Sequence, residues 1–170
     1  MTICIVPISL EYAASFRACL DSVAKEGRYL AQIEAKPLDD IIGFVSNSLA
    51  NDAAHFVALN DQQVIGWVDI IPSWAHATKH CGRLGMGVLA PFRGRGIGKQ
   101  LLTTCIAKAE QNGITRIELE ARSDNAVAIG LYRQFGFQFE TVRKKALRFD
   151  NKYYDAAQMY LLVGDANEID

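Results

Sequence analysis

Apolar positions recur at spacings of three and four along residues 12–23, where Tyr12, Ala13, Phe16, Leu20 and Val23 share one face of a helix. Ser9 stands before them as the expected N-cap. A second stripe of Leu38, Ile41, Ile42, Val45 and Leu49 follows Pro37 and predicts another amphipathic helix. Between them "KEGRYLAQIEAK" has no period, and ahead of them "TICIVPI" is rich in strand formers. "AHFVALN" and "QVIGWVDIIP" predict two strands of a hairpin, with Asn60 and Asp61 as its turn residues. "SWAHATK" reads as a loop and "HCGRLGMGVLA" as the next strand. Ile97, Leu101, Leu102, Cys105, Ile106 and Ala109 then mark a third helix, closed by Asn112-Gly113.

"TRIELEA" predicts a strand, and Asp124 or Asn125 caps a short helix that carries Ile129, Tyr132 and Phe135 and stops at Gly136. "FQFETVRKKALRF" and "YYDAAQMYLLV" predict two last antiparallel strands around Asp150-Asn151. The order is therefore β-α-α-β-β-β-α-β-α-β-β. A strand-loop-helix-strand unit inside a largely antiparallel sheet is α/β or α+β.

The length of 170 residues implies one domain, placed at residues 1–163, with "GDANEID" as a short acidic tail at 164–170 that is expected to fray. Half of the residues are hydrophobic and the net charge is −1, so neither a nucleic-acid nor a membrane partner is expected. "ICIVPISL" lacks a basic flank, since the first cation is Arg17, and it reads as a strand rather than a signal peptide. Cys4, Cys19, Cys81 and Cys105 are scattered, as reduced thiols of a cytoplasmic protein would be. His76, His80 and Cys81 lie close in sequence, but the loop after Pro72 gives no helix to align them, and no metal is expected.

"APFRGRGIGKQLL" concentrates three glycines and three cations where a helix opens. Glycine lets backbone approach a ligand, and the first amides of a helix have no internal partner. With the helix dipole, those amides favour an anion. Arg93, Arg95 and Lys99 add positive charge beside Gly94, Gly96 and Gly98. Hydrogen bonds to a charged group contribute roughly 1.5–3 kcal/mol each, so a few hold a pyrophosphate. The stretch is not a P-loop, because Gln100 follows Gly98-Lys99, and not a dinucleotide fingerprint, because Lys99 stands where the third glycine belongs.

The spacing Arg93-x-x-Gly96-x-Gly98 resembles the acetyl-coenzyme A signature of the GCN5-related N-acetyltransferases. "GVLAPFRGRGIGKQLL" and "IELEARSDNAVAIGLYRQFGF" are similar to consecutive segments of that family, and the element order is similar from end to end. The resemblance implies a mixed, mostly antiparallel sheet with helices on both faces. It implies direct acetyl transfer from acetyl-CoA to an amine, with Ile97 and its loop neighbours holding the pyrophosphate. Val88 and Leu89 then lie along pantetheine where two parallel strands splay, with Gly85 and Gly87 helping that strand bulge or approach a ligand. Asn125 matches the family residue on the pantetheine arm, and Tyr132 the proton donor to the departing thiolate.

Glu120 in "LEARSDN" is similar to the proposed base of the ribosomal-protein alanine acetyltransferases, and Glu118 shares its face. An α-amine titrates near ~8 and needs little such help compared with a lysine near ~10.4. The final hairpin is similar to that of enzymes acting on free amino acids and amino-acid-like herbicides. A substrate carboxylate there would call on Arg28, Lys144 or Arg148, and Tyr29 and Trp74 would line an apolar pocket. The expectation is thus a small-molecule amine acceptor. A protein N-terminus and a non-catalytic acetyl-CoA sensor stand as alternatives. Dimers are common in this family, and a chain ending in two strands is compatible with a homodimer.

Overall fold

The computed structural model describes residues 3–164, so the acidic stretch 165–170 lies outside the described residues. In chain order the elements are β1 (Ile3–Pro7), α1 (Ala13–Lys25), α2 (Leu38–Ala50), β2 (Ala54–Asn60), β3 (Gln63–Pro72), β4 (Cys81–Val88), α3 (Ile97–Gln111), β5 (Arg116–Arg122), α4 (Ala126–Gln134), β6 (Gln138–Phe149) and β7 (Lys152–Leu162). This is the order read from the periodicities. The strands form one sheet, β1-β2-β3-β4-β5-β7-β6, antiparallel except between β4 and β5.

Helices cover both faces of the sheet, so β2 and β3 are apolar almost without interruption. Val68 and Ile70 point toward α3, in a cluster with Leu101, Leu102 and Cys105. Val57 and Trp67 point the other way, packed with Phe16 of α1 and Val45 of α2. Phe16 is fully buried, with its ring centroid 5.3 Å from His55 and 5.8 Å from Trp67. α3 and α4 both end in a glycine in the left-handed region, Gly113 at φ 83° and Gly136 at φ 89°. At α3, Ile114 N donates to Ala109 O at 3.0 Å, and at α4, Phe137 N donates to Tyr132 O at 3.1 Å. Both closures are Schellman motifs, and they satisfy carbonyls that helix ends otherwise leave bare.

Three local expectations change. Ser9 does not cap α1: the chain first takes a 3₁₀ turn at Leu10–Tyr12, and Ser9 Oγ donates to Glu11 Oε1 at 3.2 Å. The first hairpin turns on Asp61 (φ 47°) and Gln62 (φ 70°), with Asn60 still paired to Gln63. Two left-handed residues make the tight turn whose twist suits a hairpin, so the strand extends one residue further than the turn-forming type of Asn60 suggests. Asp150 and Asn151 turn the last hairpin in the same way, as expected.

The third change concerns the bulge expected at Gly85 and Gly87. Register between β3 and β4 runs from Gly66↔Val88 to Pro72↔Gly82 without a bulge. A Cβ on Gly87 would lie 2.4 Å from Trp67 Cη2, and one on Gly85 would lie 3.4 Å from Asp69 Oδ1. Gly87 leaves room for the Trp67 ring, whereas a Cβ at position 85 would meet Asp69 at ordinary contact distance.

Gly87→Ala should destabilise the fold by about 1–3 kcal/mol, the usual cost of overpacking. Trp67 is buried, with its ring centroid packed 5.8 Å from that of Phe16, so moving it disturbs the core. Gly130→Ala, in α4 with nothing within 4 Å of the added carbon, should instead stabilise by about 0.5–1 kcal/mol. Urea midpoints at unchanged slope measure both.

Candidate active site

β4 and β5 pair at only three positions, Cys81↔Arg116, Gly82↔Ile117 and Arg83↔Glu118. β4 continues against β3 to Val88, and β5 continues against β7 to Arg122. From Leu84 and Leu119 onward the two facing edges diverge without a ladder between them. A wedge of backbone polar groups opens there.

The glycine-rich loop stands at the mouth of the wedge. Leu89 leads into a 3₁₀ turn at Ala90–Phe92, and Gly94 (φ 74°) and Gly96 (φ 78°) then turn the chain into α3. A side chain at either position would strain the backbone. No side chain caps α3, so the amides of Ile97, Gly98 and Lys99 face outward with the positive end of the helix dipole. Gly98 brings α3 close to its neighbours: an added Cβ would lie 3.3 Å from Leu131 of α4 and 3.4 Å from Met86 of β4.

The three cations of the loop do different things. Arg93 turns away from the helix end. Its Nε donates to the Val88 carbonyl at 2.8 Å, its Nη1 donates to Glu26 Oε2 at 2.9 Å, and its guanidinium lies 4.6 Å from the Tyr29 ring centre. It thereby ties the loop to the end of α1. Arg95 lies over Phe92 at 5.5 Å, and Lys99 is exposed on the first turn of α3. Leu89 N donates to Ile65 O at 2.9 Å.

On the far side of the wedge, Asn125 rather than Asp124 caps α4: its Oδ1 accepts from Ala128 N at 3.3 Å. Asp124 is taken by Arg122, whose Nε donates at 2.6 Å. Tyr132 lies in one apolar cluster with Met86, Val88, Leu89 and Phe92, its ring centroid 5.7 Å from Phe137. Burial pushes its hydroxyl up to about 12, so the phenol stays protonated at neutral pH.

Glu120 and Glu118 do share a face, but each carboxylate is engaged. Glu120 Oε2 accepts from Arg143 Nη1 of β6, and Glu118 Oε1 from Arg116 Nε at 2.6 Å. The expected carboxylate partners are also committed: Lys144 donates to Asp155 Oδ2 at 2.8 Å and Arg148 to Asn151 Oδ1 at 2.7 Å. Arg28 is exposed beside Tyr29, and Trp74 is 94% exposed, outside the apolar pocket expected of it. Among the described residues, no group of three or more His, Cys, Asp or Glu is placed to hold a metal ion.

A cavity of about 630 Å³ lies on the α1–α2 face, within the usual range for small-molecule sites. Phe16, Phe44, Trp67 and Met86 give it apolar walls, and Lys36, Asp39, Asp40 and Asp69 give it charge. Met86 borders this cavity, and its Cε lies 3.4 Å from where a Cβ on Gly98 would stand, so the cavity and the first turn of α3 share a neighbour. Sequence reasoning passed over Asp69. Its signal was a lone carboxylate in the apolar strand "QVIGWVDIIP".

Comparison with known proteins matches residues 11–137 to the model of the acetyltransferase (GNAT) family. The L-amino acid N-acetyltransferase AaaT of Escherichia coli is 31% identical over 61% of this chain and 64% of its own length. The ribosomal protein bS18-alanine N-acetyltransferase of Salmonella typhimurium is 39% identical over 39% of this chain and 40% of its own. Neither match reaches two thirds of the relative's length. A structure from Salmonella typhimurium, solved with its cofactor acetyl-CoA, superposes with a TM-score of 0.92 at 15% identity, over 100% of this chain and 99% of that one. No helix among the described residues is long and apolar enough to cross a membrane.

Spectrophotometric titration of the tyrosines should show one phenol that ionises only near 12. Tyr132→Phe should remove that step and leave the remaining titration unchanged.

Proposed function

This chain belongs to the acetyltransferase (GNAT) family, and we propose that it moves an acetyl group from acetyl-CoA directly to the amine of a small acceptor, an amino acid or amino-acid-like compound. The observation that carries this reading is the wedge between β4 and β5. It has an uncapped helix N-terminus at its mouth and a cavity of about 630 Å³, open on one side, beside Met86.

In this reading the amides of Ile97, Gly98 and Lys99 hold the pyrophosphate, with Arg95 and Lys99 adding charge and Gly94 and Gly96 keeping the approach open. Arg93 serves by holding the loop in place through Glu26 and the Val88 carbonyl. Val88 and Leu89 line the pantetheine path. The Val88 carbonyl has a second lone pair to offer, and Asn125 reaches the same arm from the start of α4. Acetyl-CoA supplies an activated thioester whose C–S bond breaks as the C–N bond forms. Tyr132, kept protonated by burial, delivers a proton to the departing sulfur. The acceptor occupies the cavity, whose size suits a small amine.

Two likenesses bear on the acceptor. AaaT, similar over 61% of the chain, is named for free amino acids. A second reading, acetylation of a protein N-terminus, is favoured by the segment "LEARSDN" and by the ribosomal-protein relative. Within the cell we place the protein in the cytoplasm, where its four free cysteines stay reduced.

The test is CoA release from acetyl-CoA with single L-amino acids, polyamines and peptides starting with Ala or Ser, each product confirmed by mass. One class of free amino acid should turn over. Tyr132→Phe should lower kcat by about tenfold to a hundredfold and leave acetyl-CoA affinity unchanged. Turnover confined to peptides supports the second reading. Tight acetyl-CoA binding with no acetylated product supports a binding domain without turnover.

A further inference from the structure

Asp69 pairs in register with His55 of β2 on one side and Gly85 of β4 on the other. All three face α1 and α2. The carboxyl lies over β4 beside Gly85, with its oxygens 3.4 and 3.6 Å from where a Cβ at that position would stand. Trp67, two residues back on the same face, leans the same way over Gly87. β3 thus places a carboxyl beside Gly85, on the strand that forms one lip of the wedge. Asp69 lines the cavity beside Met86. Among the described residues its carboxyl has no hydrogen bond or ion pair. Glu120, in contrast, is held by Arg143 and its side chain is only 12% exposed.

Resting on the acetyl-transfer reading above, we infer that Asp69 is the catalytic residue that takes the acceptor's amine proton. An ammonium acceptor loses two protons on becoming an amide. The first passes to an Asp69 oxygen and from there to solvent through the cavity. The C–N bond forms as the C–S bond breaks, and the second proton ends on sulfur through the Tyr132 hydroxyl, which gives one proton and takes one back.

The surroundings suit the task. Burial pushes the Asp69 carboxyl up to about 7, close to the value at which a base works best near neutral pH. The groups facing it do not undo this. From β2 comes His55, whose Nδ1 is bonded to Ser48 Oγ at 3.0 Å, whose Nε2 has no partner, and which burial keeps neutral by lowering it to about 4. From the α1–α2 segment and α2 come Lys36, Asp39 and Asp40, which also line the cavity. On the opposite face of the sheet the Cys105 thiol of α3, which burial pushes up, stays protonated and adds no charge.

The experiment compares the full chain with Asp69→Asn and Glu120→Gln, using the L-amino acid that turns over fastest. In the wild type, kcat/KM should rise through a limb near pH 7. Asp69→Asn should erase that limb and lower kcat by about a hundredfold. Glu120→Gln should change kcat by less than about threefold, and calorimetry should find acetyl-CoA affinity unchanged in both variants. Independently of turnover, carbon NMR of labelled aspartates should show one carboxyl titrating near 7, lost in Asp69→Asn.

Loss of the limb in Glu120→Gln but not in Asp69→Asn would overturn the inference. So would an Asp69 signal titrating in the ordinary carboxylate range, a measurement that needs only the wild-type fold. A wild-type chain that acetylates no amine counts against the acetyl-transfer reading instead. Turnover that survives Asp69→Asn counts against Asp69 alone.

Discussion

Everything at the candidate site depends on a ladder that stops early. β4 and β5 share three register pairs and then part, although each keeps its other neighbour to the end. Unpaired backbone N–H and C=O groups are costly when buried and useful when a ligand can satisfy them. The α3 amides stand at one end of that opening and Met86 borders the cavity beside it. The site is therefore built mainly of main-chain groups, and side chains are needed at few positions.

Those few positions are fixed from a distance. Arg93 spans from the loop to Glu26 at the end of α1, a bidentate contact across 67 residues of sequence. Planar guanidinium–carboxylate pairing gives direction as well as attraction. Tyr132 is held through its own carbonyl, which accepts the Phe137 amide where α4 ends at Gly136. Asp155 steadies the irregular stretch of β6, accepting from Lys144 Nζ and from the backbone N–H of Lys145, which sits at φ 52°.

Much of this was legible in the sequence. Apolar periodicity gave the order of the elements, because a stripe of three and four or a run of alternating residues reflects which face is buried. The loop was legible because its chemistry is local: glycines, cations and a helix start are neighbours in the chain. Contacts between distant segments were not legible. Nothing in "RGRGIGK" says that Arg93 reaches back to Glu26 while Lys99 stays on the helix surface. Nothing in "IELEAR" says that Glu120 meets Arg143. Ser9 misled because a capping residue type does not fix where helical winding begins, and a 3₁₀ turn intervened. Asp69 was visible as an anomaly, but its meaning lay in the cavity that the distant helices α1 and α2 build over it.

Gly87 carries a consequence for how the chain can vary over time. The indole of Trp67 occupies the volume that any side chain at position 87 would need. The two positions are coupled through space rather than through sequence, 20 residues apart along the chain. Drift away from glycine at 87 is open only after the ring at 67 has been replaced by something smaller. Among distant members of the lineage, bulk at one position should accompany its loss at the other, and the order of the two changes is set by the geometry of a single cross-strand pair.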